Sequence, residues 1–155
     1  MGVLLLLTTP PHTTLRAACW PPLPCAARTP LRQLRAVQGS GKRMVNRGVR
    51  LDLVGLHPDD YAKDETMVWW PLSSTTSDVS VLSSPVFLGT TGPRTIFQIH
   101  TAQAVDVAAF SAVKGEAELL LPPGIALLIT GVLNAGSGLT MLTCEDDPDA
   151  PPLLT

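Results

Sequence analysis

A chain of 155 residues, 45% hydrophobic and 15% charged, has the size of one domain and enough apolar matter for a core, which excludes a wholly disordered protein. No apolar run approaches the roughly 20 residues that cross a bilayer, so no membrane-spanning segment is expected. The net charge of −2 hides a division, because residues 1–50 hold eight basic side chains and no acidic one, whereas 51–155 hold three basic and thirteen acidic.

In chain order, the first forty residues are not domain-like. The apolar run Val3–Leu7 follows no Lys or Arg and is short for a secretory signal. Leu6 stands where a myristoylation signal needs Ser or Thr. The acid-free, Arg-, Pro-, Ala- and Thr-rich composition suits a disordered tail or an organellar transit peptide. Its basic residues are scattered without interleaved aromatics, so no nucleic-acid partner is expected. GSGK at 39–42 lacks the phosphate-loop pattern at both ends, with Ala36 for the first glycine and Arg43 for the Ser/Thr. The expected organisation is a disordered or targeting-like tail over 1–43, a core over 44–145, and an acidic, proline-rich tail over 146–155.

From Met44 onward, apolar stretches bounded by turn residues predict short strands. They are expected over Met44–Val49, Met67–Leu72, Arg94–Thr101 and Glu116–Leu121, the last ending at the Pro122-Pro123-Gly124 turn. Ile125–Leu133 and Gly138–Cys144 read as a hairpin across Asn134–Ser137. Asp78 is placed to start a one-turn helix over Val79–Ser83 that Pro85 stops. Six strands, few helices and no βαβ spacing predict an α+β fold, mostly antiparallel. Three cysteines (Cys19, Cys25, Cys144) cannot all pair, so no disulfide framework is expected.

Three pieces carry chemistry: VNRGV at 45–49, WWPLSSTTSD at 69–78 and FSAVKGEAELLLPPG at 110–124. Strand periodicity puts Glu116 and Glu118 on one face with Ala117 on the other. Adjacent carboxylates repel unless a cation or sugar lies opposite, and paired carboxylates suit glycosyl transfer. The SSTT hydroxyls at 73–76 can bond a sugar or orient a carboxylate, although a polar turn explains them equally well. Arg47 before Gly48 sets a bidentate fork, suited to phosphate, beside an approachable backbone. Singly, each piece also has an ordinary reading as exposed surface.

In this order and spacing the pieces resemble the arginine–serine–glutamate class of mono-ADP-ribosyltransferases. Trp69 or Trp70 ahead of SSTT, PVFLG at 85–89, RTIFQI at 94–99 and AAFSAVKGEAELLLPPG at 108–124 extend the likeness, which covers about residues 44–143. Thr76 stands for the final serine of the family's Ser-Thr-Ser, and Asn46 where an aromatic often precedes the arginine. The resemblance implies two packed sheets around an NAD cleft. It also implies transfer of ADP-ribose from NAD, the co-substrate, to an arginine of a target protein, with nicotinamide released and no metal. Arg47 would bind the diphosphate and the Gly48 backbone the nicotinamide amide. Ser74, with Thr75 and Thr76, would bond the ribose and orient the catalytic Glu118. Phe87 would pack on the nicotinamide, Glu116 would position the incoming guanidinium, and Phe110–Gly115 would meet the target protein. An NAD glycohydrolase, or an inactive NAD- or partner-binding domain, would use the same site.

Overall fold

The computed structural model describes residues 41–85, 87–107 and 118–150. Eight strands follow in order: β1 (Arg43–Val49), β2 (Thr66–Trp69), β3 (Ser73–Thr76), β4 (Arg94–Thr101), β5 (Val105–Asp106), β6 (Glu118–Leu121), β7 (Ile125–Gly136) and β8 (Leu139–Asp146). They hydrogen-bond as β2-β7-β8-β4-β1-β3-β6-β5. Every pairing is antiparallel except β4 with β8.

Local sequence explains most of these bounds. β4 follows its alternation of apolar and polar residues and buries Phe97 and Ile99. β2 stops at Trp69, short of the expected Leu72, since Pro71 offers no N–H to a ladder. Asp78 accepts from the Ser80 backbone at 2.9 Å and caps Val79–Ser83, which winds as a 3-10 turn. The same side chain accepts from the Ser80 hydroxyl, and these bonds hold its carboxyl below the usual carboxylate range. A further single helical turn, α1 (Leu53–Leu56), is capped by Asp52, whose side chain accepts from Gly55 N–H.

The sheet cannot be flat. β6 and β7 stand five strand spacings apart in the ladder, about 24 Å in a plane. Yet only Pro122-Pro123-Gly124 joins them, and four Cα steps reach about 14 Å. β2 and β3, also five spacings apart, are joined by a connection just as short. The ladder therefore bends over, and its two halves enclose one core of Val45, Trp69, Phe97, Leu121, Leu127, Ile129, Leu142 and Cys144. This corrects the expectation of two sheets: one continuous ladder folds on itself. Each fully buried Leu or Ile contributes on the order of 1.5–3 kcal/mol of transfer free energy to holding the bend. A smaller cluster of Leu82, Leu88 and Ile96, backed by Leu139 and Met141, fixes the segment after β3 against the sheet.

Candidate active site

The ladder between β1 and β3 is a single registered pair, Asn46 with Thr76. Beyond it β1 continues to Val49 and β3 begins at Ser73, with no further partners between them. The two strands diverge there. The Arg47 side chain crosses this gap, its Nη1 donating to the Ser74 carbonyl at 2.8 Å. A guanidinium thus stands where a ladder bond would otherwise form.

β3 pairs on its other side with β6, in a register that sets Thr76 opposite Glu118 and Ser74 opposite Leu120. Ser74, Thr76 and Glu118 consequently share one face of the sheet. The Ser74 hydroxyl donates to Glu118 Oε1 at 2.7 Å, a short charge-assisted bond between half-buried groups. The sequence expectation of Thr75 and Thr76 as further holders of the co-substrate meets hydroxyls already engaged. Thr75 points into the core and donates to the Leu119 carbonyl at 2.8 Å. The Thr76 hydroxyl accepts from the Asp78 backbone N–H at 3.1 Å, inside the turn that follows. Of the three, Ser74 alone bonds a catalytic candidate among the described residues.

Arg47 is half-buried, and desolvation lowers its pKa from the ordinary guanidinium value. Among the described residues no carboxylate forms an ion pair with it. Its Cζ lies 5.7 Å from the centroid of the Trp69 ring, so an aromatic face and a backbone carbonyl hold the cation. A partly desolvated cation is costly and favours an incoming anion.

Gly48 has a packing reason as well as the expected functional one. A Cβ there would come within 3.1 Å of Leu88 Cβ and Cδ1, so the missing side chain admits the 87–89 segment onto β1. That segment carries Phe87, half-buried, whose carbonyl accepts from Arg50 Nε at 2.6 Å. No sequence signal marked Arg50, because this bond joins a strand end to a loop 37 residues later. Glu116 and the expected target-facing stretch Phe110–Gly115 lie outside the described residues. No group of three or more His, Cys, Asp or Glu among the described residues is gathered to hold a metal ion.

A scan against protein-family models and a search of curated proteins both find no match. Solved structures do match. The ATR domain of Salmonella SpvB gives a TM-score of 0.56 at 19% identity, over 74% of this chain and 66% of that one. Vis, an ADP-ribosyltransferase toxin from Vibrio splendidus, gives 0.56 at 20% identity, over 80% of this chain and 58% of Vis. The fold is ADP-ribosyltransferase-like. The C3 exoenzyme of Clostridium limosum gives 0.53 at 18% identity, over 81% of this chain and 71% of the exoenzyme. Vis has also been solved in complex with agmatine. Within this ADP-ribosyltransferase-like fold, β1, β3 and β6 bring Arg47, Ser74 and Glu118 together from positions 27 and 44 residues apart.

Proposed function

We propose that this protein is an NAD-dependent mono-ADP-ribosyltransferase that modifies arginine side chains of a target protein and releases nicotinamide. The observation that carries the reading is the Ser74 hydroxyl donating to Glu118 Oε1 at 2.7 Å, beside the β1–β3 gap that Arg47 crosses. NAD supplies a ribosyl bond whose cleavage expels neutral nicotinamide and leaves positive charge on the ribose. Glu118 is the carboxylate preplaced for that charge, stabilising the transition state more than the ground state. Ser74 fixes its rotamer. Arg47 receives the diphosphate, and its position across the gap keeps the dinucleotide from drifting. Gly48 presents its backbone to the nicotinamide amide and Phe87 packs against the ring. Thr75 and Thr76 act at one remove, by holding β3 in place.

Arginine as acceptor is supported by two features. Glu116 precedes Glu118 by two residues, so in a continued strand it shares that face, and a carboxylate there suits a guanidinium. The structural neighbour Vis was solved with agmatine, which ends in a guanidinium group. The test is incubation of the purified full chain with NAD and agmatine, following nicotinamide release and agmatine labelling separately. The reading expects both, with Glu116→Gln losing the labelling and sparing most of the release. Release without labelling in the wild type makes the protein a glycohydrolase. NAD binding without release makes it an inactive binding domain.

A further inference from the structure

Arg47 reaches the gap from the core-facing side of β1, and the groups behind it are as ordered as the groups in front. Phe97 of β4 stands directly opposite Arg47 in the ladder. Trp69, 6% exposed, packs edge-on against Phe97 with ring centroids 5.1 Å apart and planes at 86°. Its own backbone carbonyl accepts from Gly124 N–H at 2.7 Å, in the turn that leaves β6. The indole is therefore packed against Phe97 of β4, and the Trp69 backbone is tied to the β6–β7 turn. Arg47 Cζ lies over this immobilised face at 5.7 Å. Since β2 and β1 are far apart in the ladder, this contact exists only because the sheet bends over.

A long arginine side chain has many rotamers, and a half-buried one would otherwise gain by turning towards water. Backbone carbonyl and indole together suppress that escape. The carbonyl of Ser74 holds one edge of the guanidinium, and the indole lies 5.7 Å from its Cζ. We propose that Trp69 is the positioning residue for Arg47, holding the guanidinium cationic and aimed into the β1–β3 gap, so that an incoming diphosphate meets a preformed fork. The proposal rests on the reading of Arg47 as the diphosphate ligand, but the Trp69–Arg47 coupling is measurable without NAD. Trp69 touches no reacting atom. Its role is on binding, and the signature is a rise in KM for NAD with kcat little changed.

The experiment uses the full chain with Trp20→Phe and Trp70→Phe, which leaves Trp69 as the sole tryptophan. Without NAD, Arg47→Ala is expected to shift the Trp69 emission maximum and intensity, because the cation over the ring is lost. NAD titration is expected to change the same emission in the presence of Arg47. In the otherwise native chain, Trp69→Leu should raise KM for NAD about tenfold and Trp69→Phe about threefold, since Phe is the weaker cation–π partner. On an Arg47→Ala background, either change at 69 should add no more than a small fraction of that. Trp69→Phe keeps an aromatic in the core, so the test does not depend on Trp69→Leu folding. Emission indifferent to Arg47→Ala overturns the proposal whatever NAD does. So do KM effects that add fully to those of Arg47→Ala. If Arg47→Ala shifts the emission but leaves NAD binding unchanged, the positioning of Arg47 for an anion is overturned along with the diphosphate assignment, while the side-chain contact stands.

Discussion

Ser74 has one hydroxyl proton, and Glu118 takes it at 2.7 Å. That bond fixes the carboxylate without neutralising it, which separates the two side chains by what their loss should do. On the proposed function, Glu118→Gln removes the charge placed for the ribose, so nicotinamide release should fall on the order of 10²- to 10³-fold with NAD still bound. Ser74→Ala removes the anchor only, and about tenfold of the rate should go with it, since a hydrogen bond to a charged group is worth about 1.5–3 kcal/mol and other rotamers of Glu118 remain productive. Arg47→Ala should instead weaken NAD binding, by about 1.5–3 kcal/mol, and Arg47→Lys should recover only part, for want of the fork. Calorimetric titration with NAD beside a nicotinamide assay checks all three. A Glu118→Gln variant with wild-type release would remove β6 from the chemistry. At this scale the sequence, through its resemblance, anticipated the contact of Ser74 with Glu118, because the β3–β6 register carries hydroxyl and carboxylate to one face. It was silent about which hydroxyls are already engaged. Thr75 looks like its neighbours in composition, and only the register of β3 against β6 turns it into the core.

Elements that rest on local chemistry were legible, and those that rest on distant partners were not. The 3-10 turn at Val79–Ser83 follows from Asp78 and Pro85, and β4 from its alternation. β3 reads equally as a polar turn, because what makes SSTT a strand is its ladder with β6, more than 40 residues away, to which Thr75 adds its hydroxyl bond to the Leu119 carbonyl. Thr75→Val keeps the shape and leaves that buried carbonyl without its hydroxyl donor, so it should cost on the order of 1–3 kcal/mol by denaturant unfolding. Gly48 belongs to this scale too. An added Cβ at 3.1 Å from Leu88 forces Leu88 off β1 by a few tenths of an ångström, and Gly48→Ala should destabilise by about 1–3 kcal/mol. Leu88→Ala empties the space the new methyl needs. The double variant should therefore lose less stability than the two single losses summed, and strict additivity would show that Leu88 is not what Gly48 accommodates.

At the scale of the molecule, the bend of the ladder puts two ionisable groups where water does not reach. No strand predicted from sequence announces that bend. It is a property of connection lengths against strand order, and the order is set by pairings such as the parallel one between β4 and β8. The bend encloses Tyr61, 1% exposed, with its ring 6.2 Å from that of Phe97, and Cys144, fully buried in β8. Desolvation, with a smaller contribution from the charge of Asp60, pushes the Tyr61 phenol from 10.0 up to about 12. Burial pushes the Cys144 thiol from 9.0 up to about 12 as well. Both groups are favoured as neutral acids in the folded chain, so in alkaline solution the unfolded chain releases its protons first. Between about pH 10 and about pH 12 the folded state binds more protons than the unfolded one, and stability must fall as pH rises through that window. For the phenol alone the loss is on the order of 3 kcal/mol. The chain has a single tyrosine, so tyrosinate absorbance reports Tyr61 and nothing else. In a pH titration of the native protein, that absorbance should rise only near pH 12, together with the loss of the β-sheet circular dichroism signal. The same titration in concentrated urea should show the rise near pH 10. A phenol that ionises near pH 10 while the sheet signal stays intact would mean that the bent ladder does not seal its core at Tyr61.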